Sequence, residues 1–164
     1  MDPTPDELAG VVDLFGALTR AELRRGLAEL AFKRGEEYDP ERFAGAVEDA
    51  LRSYHLVAVE AAGAGAADAG ADERAVVVGP VAFPVLPEGA SDLPHILDVS
   101  DRDPDREAAA AAAATRFRRD AATAIDGGDE ERVRTLLDVS YELEAWGGLD
   151  LSATRERMGD ELAR

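Results

Sequence analysis

Apolar residues recur at helical spacing from the start of the chain. Thr4-Pro5-Asp6-Glu7 has the S/T-x-x-E form of a capping box with proline at the first helical position, so a helix is predicted to begin there. Leu8, Val11, Val12, Phe15 and Leu18 follow at i, i+3, i+4 and i+7 and give it one apolar face, weakened at Gly16. Thr19 and Glu22 repeat the capping box, and Leu23, Leu27, Leu30 and Ala31 carry a second stripe to a stop at Gly35. Asp39-Pro40 opens a third helix whose stripe is Phe43, Ala46, Val47, Ala50, Leu51 and Tyr54.

At Tyr54-His55 the period changes. Leu56-Val57-Ala58-Val59 reads as a strand, Ala75-Val76-Val77-Val78 as a second, and Val81-Ala82-Phe83 continues as an extended run beyond Gly79-Pro80. The segment from Ala61 to Asp72 is almost entirely Ala, Gly and Asp, too small in side chain to pack well, and is expected as the mobile tip of a hairpin. Pro84, Pro87 and Pro94 predict an irregular connection, with Leu93, Ile96 and Leu97 making apolar contacts. From Asp103-Pro104 the chain turns helical again, with Asp103 as the expected cap. The seven alanines of 108–114 lead into Phe117, Ala121 and Ile125, and Gly127-Gly128 ends that helix. Asp129 caps the next, with Val133, Leu136, Leu137, Ser140, Leu143 and Trp146 as its stripe, and a short helix over 152–163 carries Met158 and Leu162. The expected class is therefore mainly α with a small β-hairpin (α+β). A domain over 1–85, a connection over 86–102 and a helical segment over 103–164 make up the expected organisation.

Charge changes this picture more than composition does. Against 35 Asp and Glu stand 18 Lys and Arg, a net charge of −17, and Lys33 is the only lysine. Self-repulsion of that size fits a salt-rich cytoplasm, where at about 1 M the screening length falls to roughly 3 Å. The acidity then reflects solvent more than a partner. No run of apolar residues reaches bilayer-spanning length, and the acidic first residues differ from a secretory signal, so a cytoplasmic protein is expected.

Candidate chemistry is sparse. There is no cysteine, which removes thiolate metal sites, disulfides and cysteine nucleophiles. His55 is expected to serve the end of the third helix, and His95 has no neighbour at ligand spacing. Asp101, Asp103 and Asp105 have the spacing of a calcium loop, but its sixth position is Arg106 and its twelfth Ala112, where glycine and glutamate are required. No catalytic, cofactor or metal site is predicted, and no enzyme. Residues 19–35 are the most basic helix, with Arg20, Arg24, Arg25, Lys33 and Arg34 against Glu22 and Glu29. The third helix exposes Glu41, Arg42, Gly45, Glu48, Asp49 and Arg52, a mixed surface. Nucleic-acid contact, if any, is thus expected from Arg42, Arg52, Arg24 and Arg25.

Leu18-Thr19-Arg20-Ala21-Glu22-Leu23 and the junction Ala50-Leu51-Arg52-Ser53-Tyr54-His55-Leu56-Val57 resemble the second helix and the recognition-helix-to-strand junction of winged helix-turn-helix proteins of archaeal regulators. The whole chain, including Val78-Gly79-Pro80-Val81-Ala82-Phe83-Pro84, Leu93-Pro94-His95-Ile96-Leu97-Asp98-Val99 and Val139-Ser140-Tyr141-Glu142-Leu143-Glu144-Ala145-Trp146, resembles an uncharacterised protein family of haloarchaea. The resemblance implies a winged helix over about residues 5–85, with 61–72 as the wing. Two functions follow as expectations: a protein-interaction or regulatory module, or a DNA-binding transcriptional regulator using the helix over 39–54. A homodimer through the C-terminal helices is compatible with either.

Overall fold

The computed structural model describes residues 1–66 and 73–164, which form two compact units, Met1–Asp105 and Arg106–Arg164. The first opens with α1 (Pro5–Asp13), in which the Thr4 hydroxyl accepts from the Glu7 N–H and the Glu7 carboxylate accepts from the Thr4 N–H. The same reciprocal cap, Thr19 with Glu22, opens α2 (Arg20–Lys33). Asp39 caps α3 (Pro40–Arg52) by accepting from two backbone N–H groups. Tyr38, just before that cap, packs against Phe43 with ring centroids 4.9 Å apart and planes tilted by 43°, an aromatic staple that fixes the entry of α3.

Between α1 and α2 lies β1, only Leu18–Thr19, so Leu18 belongs to a strand rather than to the first helix. After α3 come β2 (Leu56–Glu60) and β3 (Arg74–Val78), antiparallel with Val57 opposite Val77. β1 adds to the other edge of β3, and the sheet order is β1-β3-β2. Phe15, Leu18, Leu23, Leu27, Phe43, Val47, Leu51, Leu56 and Val76 lie in one buried cluster. The stripes of α1, α2 and α3 thus close over one face of the sheet.

Several expectations are corrected. Residues 81–83 do not extend the sheet, because their backbone groups are taken elsewhere: the Val81 N–H donates to the Tyr54 carbonyl and the Phe83 N–H to the Asp6 carboxylate. The stretch from Ala61 does pack where it is described. Ala61, Ala64 and Ala66 are buried, and the Gly63 carbonyl accepts from the Asp105 N–H. Residues 67–72, expected at the hairpin tip, lie outside the described residues. Residues 86–102 join the first unit and contain a 3-10 turn, Ala90–Asp92, and a short helix, α4 (Leu93–Leu97). Leu93 and Leu97 are buried in the core, whereas Ile96 is exposed.

The second unit is three helices, α5 (Arg106–Asp126), α6 (Glu130–Gly147) and α7 (Ser152–Leu162). α5 begins at Arg106, so the capping position falls on Asp105 and not on Asp103. Phe117, Val133, Leu136, Leu143, Leu151 and Met158 are buried in it, while Trp146 and Ile125 are half-buried. Arg132 pairs with Asp120 across α5 and α6 at 3.6 Å, and Arg155 pairs with Glu144 across α6 and α7 at 2.8 Å. No described helix is long and apolar enough to cross a membrane.

Candidate functional site

The surface of α2 and α3 carries the residues expected to meet a partner. Glu41, Arg42, Gly45, Glu48, Asp49 and Arg52 are all exposed on α3, as its periodicity predicts. Its cations are engaged within the chain. Arg42 places Nε 2.7 Å and Nη2 2.9 Å from the two carboxylate oxygens of Asp2. Arg20 of α2 pairs with Glu48 of α3. Arg25 donates to the Leu97 carbonyl at 3.1 Å, at the free carbonyl end of α4. Arg24 differs: it is exposed and has no hydrogen-bond or ion-pair partner among the described residues. Of the four sequence-predicted residues, Arg24 and Arg25 thus lie on α2, and Arg42 and Arg52 at opposite ends of α3. They are spread over two helices and do not converge on one point.

Between α2 and α3 a cavity of 140 Å³ opens, lined by Arg20, Arg24, Ala44, Val47 and Glu48. Val47 and Ala44 make its apolar wall, and the Arg20 and Glu48 charges pair beside it.

A second feature was not expected from the sequence. The segment after β3 folds back along α1, where the Asp6 carboxylate accepts from the Phe83 N–H at 3.0 Å and the Asp6 carbonyl from the Val85 N–H at 3.0 Å. Gly10 allows this approach, since a Cβ there would collide with the Val85 carbonyl. With its backbone fixed, the segment exposes Phe83 at 81%, Val85 at 51% and Leu86 at 47% of their surface. Phe83, Val85 and Leu86 thus stand as exposed apolar side chains in one short segment of a chain of net charge −17.

Asp6 also faces His55, whose Nε2 lies 3.7 Å from its Oδ1, while the His55 Nδ1 is 2.6 Å from the Ser53 hydroxyl. Serine, histidine and aspartate meet here, but each has a structural task. Ser53 is within donating distance of the Ala50 carbonyl at the end of α3, and Asp6 holds the Phe83 N–H. Tyr54 between Ser53 and His55 takes a left-handed backbone, φ 64°, which turns α3 into β2. The trio binds α1, the end of α3 and the 79–86 segment together. Among the described residues no group of three or more His, Asp or Glu stands at metal-ligating range.

Two carboxylates that tie α2 to later segments sit below their ordinary range. Burial works to raise the Glu22 carboxyl, but hydrogen bonds from Arg102 and from the Thr19 N–H, with the Arg102 charge, more than offset it. Lys33 donates to Asp92 at 3.0 Å and holds that carboxyl down, tying the end of α2 to the turn before α4.

Comparison with known families gives a match over residues 6–163. The chain belongs to a family of unknown function, DUF7109. The match runs through both units, so the two together, not the first alone, are what the family shares. Neither the curated proteins nor the solved structures contain a match to the chain.

Proposed function

We propose that this member of DUF7109 is a protein-interaction or regulatory module of winged-helix type, working without catalysis in a salt-rich cytoplasm, and that residues 83–86 are its contact surface. The observation that carries the reading is the exposed run Phe83-Pro84-Val85-Leu86 held on α1 by Asp6. A contact surface whose backbone is already ordered loses little conformational freedom on binding, and a few anchor side chains carry most of the energy of such contacts. Addition of a partner strand is disfavoured, because Pro84 lacks an N–H and the Phe83 and Val85 N–H groups are spent on Asp6. The partner therefore offers an apolar pocket.

The element order α1-β1-α2-α3-β2-β3 and the sheet order β1-β3-β2 support the winged-helix assignment. The α3 surface supports a protein partner over DNA, since Arg42 and Arg20 are neutralised by Asp2 and Glu48 while Glu41 and Asp49 stay exposed.

The test is recovery of a stoichiometric partner from the native cytoplasm at native salt, comparing the parent with Phe83→Asp plus Leu86→Asp. Retention by the parent and loss by the variant, at unchanged melting temperature, is the expected result. A mobility shift on genomic DNA fragments at the same salt, abolished by Arg24→Ala, Arg42→Ala and Arg52→Ala together, overturns the reading in favour of a DNA-binding regulator.

A further inference from the structure

The cavity between α2 and α3 shares no residue with the 83–86 surface and has its own chemistry. Its volume, 140 Å³, is well below that of pockets for drug-sized ligands, which begin at about 300 Å³. An apolar cavity of about 150 Å³ is known to hold benzene, so one ring or one branched aliphatic side chain matches the space. The wall made by Ala44 and Val47 supplies the apolar surface for such a group.

Arg24 at the mouth adds a requirement of sign and shape. The other two charges lining the cavity, Arg20 and Glu48, satisfy each other, whereas the Arg24 guanidinium has no partner among the described residues. The Arg24 guanidinium thus stands, among the described residues, as a free cation beside an apolar wall. A guanidinium presents paired donors in a planar fork that a carboxylate matches with two parallel hydrogen bonds. We infer that this cavity binds a small branched aliphatic group carrying an adjacent carboxylate, with the side chain against Ala44 and Val47 and the carboxylate on Arg24. Two sources share this chemistry, a free branched amino acid and the C-terminal residue of a peptide. Glu48 separates them, because its carboxylate can accept from the free ammonium of an amino acid, whereas a peptide end has none to offer.

The test titrates the full chain with L-leucine and with N-acetyl-L-leucine, following backbone amide shifts by nuclear magnetic resonance at a fixed salt at which the chain is folded. Saturable shifts at Arg24, Ala44 and Val47 with either compound are expected. Tighter binding of L-leucine assigns the free amino acid, and tighter binding of N-acetyl-L-leucine the peptide end. N-acetyl-L-leucinamide, which keeps the side chain and lacks the carboxylate, should bind at least about tenfold more weakly, as should N-acetyl-L-leucine or L-leucine to Arg24→Gln. Ala44→Phe, which fills the cavity from an exposed position, should abolish the shifts. Arg24 is exposed and unpaired, so its substitution leaves the fold intact and keeps the test decisive if Ala44→Phe does not fold. Absence of saturable shifts with both compounds, or affinity indifferent to Arg24→Gln, overturns the inference. Neither result bears on the 83–86 surface.

Discussion

Arg102 and Glu22 form a two-pronged ion pair, Nη1 to Oε1 at 2.5 Å and Nη2 to Oε2 at 3.0 Å, with 4% and 13% of the side chains exposed. Eighty residues separate them in sequence. The same guanidinium donates to the Ala17 carbonyl at 3.4 Å, and the Arg102 N–H donates to the Phe15 carbonyl at 2.7 Å. One residue after α4 thus locks the start of α2, where Glu22 is already half of a capping box. Breaking one side of a buried pair leaves the other charge uncompensated, at a cost of about 3–5 kcal/mol. Arg102→Met should lose stability of that order in a urea titration, and a loss below about 1 kcal/mol would show that Glu22 is satisfied by its Thr19 cap alone.

The same pair sets a pH dependence. The folded Glu22 carboxyl lies below its ordinary 4.5, so its contribution is fully present above that value and is lost as pH falls through the lower, folded value. The unfolded chain takes up the proton first. Glu22→Gln should therefore flatten the acid limb of the stability profile relative to the parent, and parallel limbs would exclude a role for this group in acid sensitivity.

Gly10 is where the 79–86 segment touches α1. A methyl group there must displace the Val85 carbonyl, and overpacking of this kind costs about 1–3 kcal/mol. Gly10→Ala should also speed amide exchange at Phe83 and Val85, whose N–H groups are held by Asp6. Destabilisation without faster exchange at those two amides would place the damage inside α1 instead.

The difference between these features is also what made some of them readable from sequence. Capping boxes at Thr4 and Thr19 and the Asp39-Pro40 start are encoded within four residues of themselves, and each appears at the expected place, whereas the expected stripes overrun two helices: Phe15 and Leu18 lie beyond α1 and Tyr54 beyond α3. β1 has two residues and exists only because β3 offers Ala75 and Val76 to pair with Thr19 and Leu18, so no local pattern announces it. α4 has five residues, too short for a period. In the sequence Asp6 is only a member of the Thr4–Glu7 capping box, and its bond to Phe83 spans 77 positions. The site residues suffered in the same way: exposure of Arg24, Arg42 and Arg52 follows from helical phase, but the partners of Arg42 and Arg25 come from Asp2 and Leu97, which no spacing rule connects to them.

Surface ion pairs do not offset a net charge of −17. Arg74 with Glu60 and Arg134 with Glu130 are exposed at 3.5 Å, and such pairs contribute about 0–1 kcal/mol each, less as salt rises. Screening of the remaining carboxylates works in the opposite direction and grows to about 1 M salt. The melting temperature should therefore climb steadily from dilute buffer to molar potassium chloride. A protein equally stable in dilute buffer would contradict the proposal of a salt-rich setting.

In the second unit Arg155 carries polar contacts of α7 to α6, beside the buried Leu151 and Met158. Its Nη1 lies 2.8 Å from Glu144 Oε1 and 3.2 Å from the Ser140 hydroxyl, its Nη2 is 3.3 Å from Glu144 Oε2, and its guanidinium carbon sits 4.4 Å over the Tyr141 ring. Hydrogen bonding to Glu144 raises the arginine and lowers the carboxyl. Glu144 also accepts from the Leu151 N–H at 2.8 Å, just ahead of α7, so one carboxylate fixes both the entry and the first turns of that helix. An ammonium keeps the charge but loses the fork, and an amide loses both. Amide exchange in α7 should accelerate in the order parent, Arg155→Lys, Arg155→Gln. If Lys and Gln behave alike, the fork is the holding interaction and the charge over Tyr141 adds nothing; if Lys matches the parent, the charge alone holds α7.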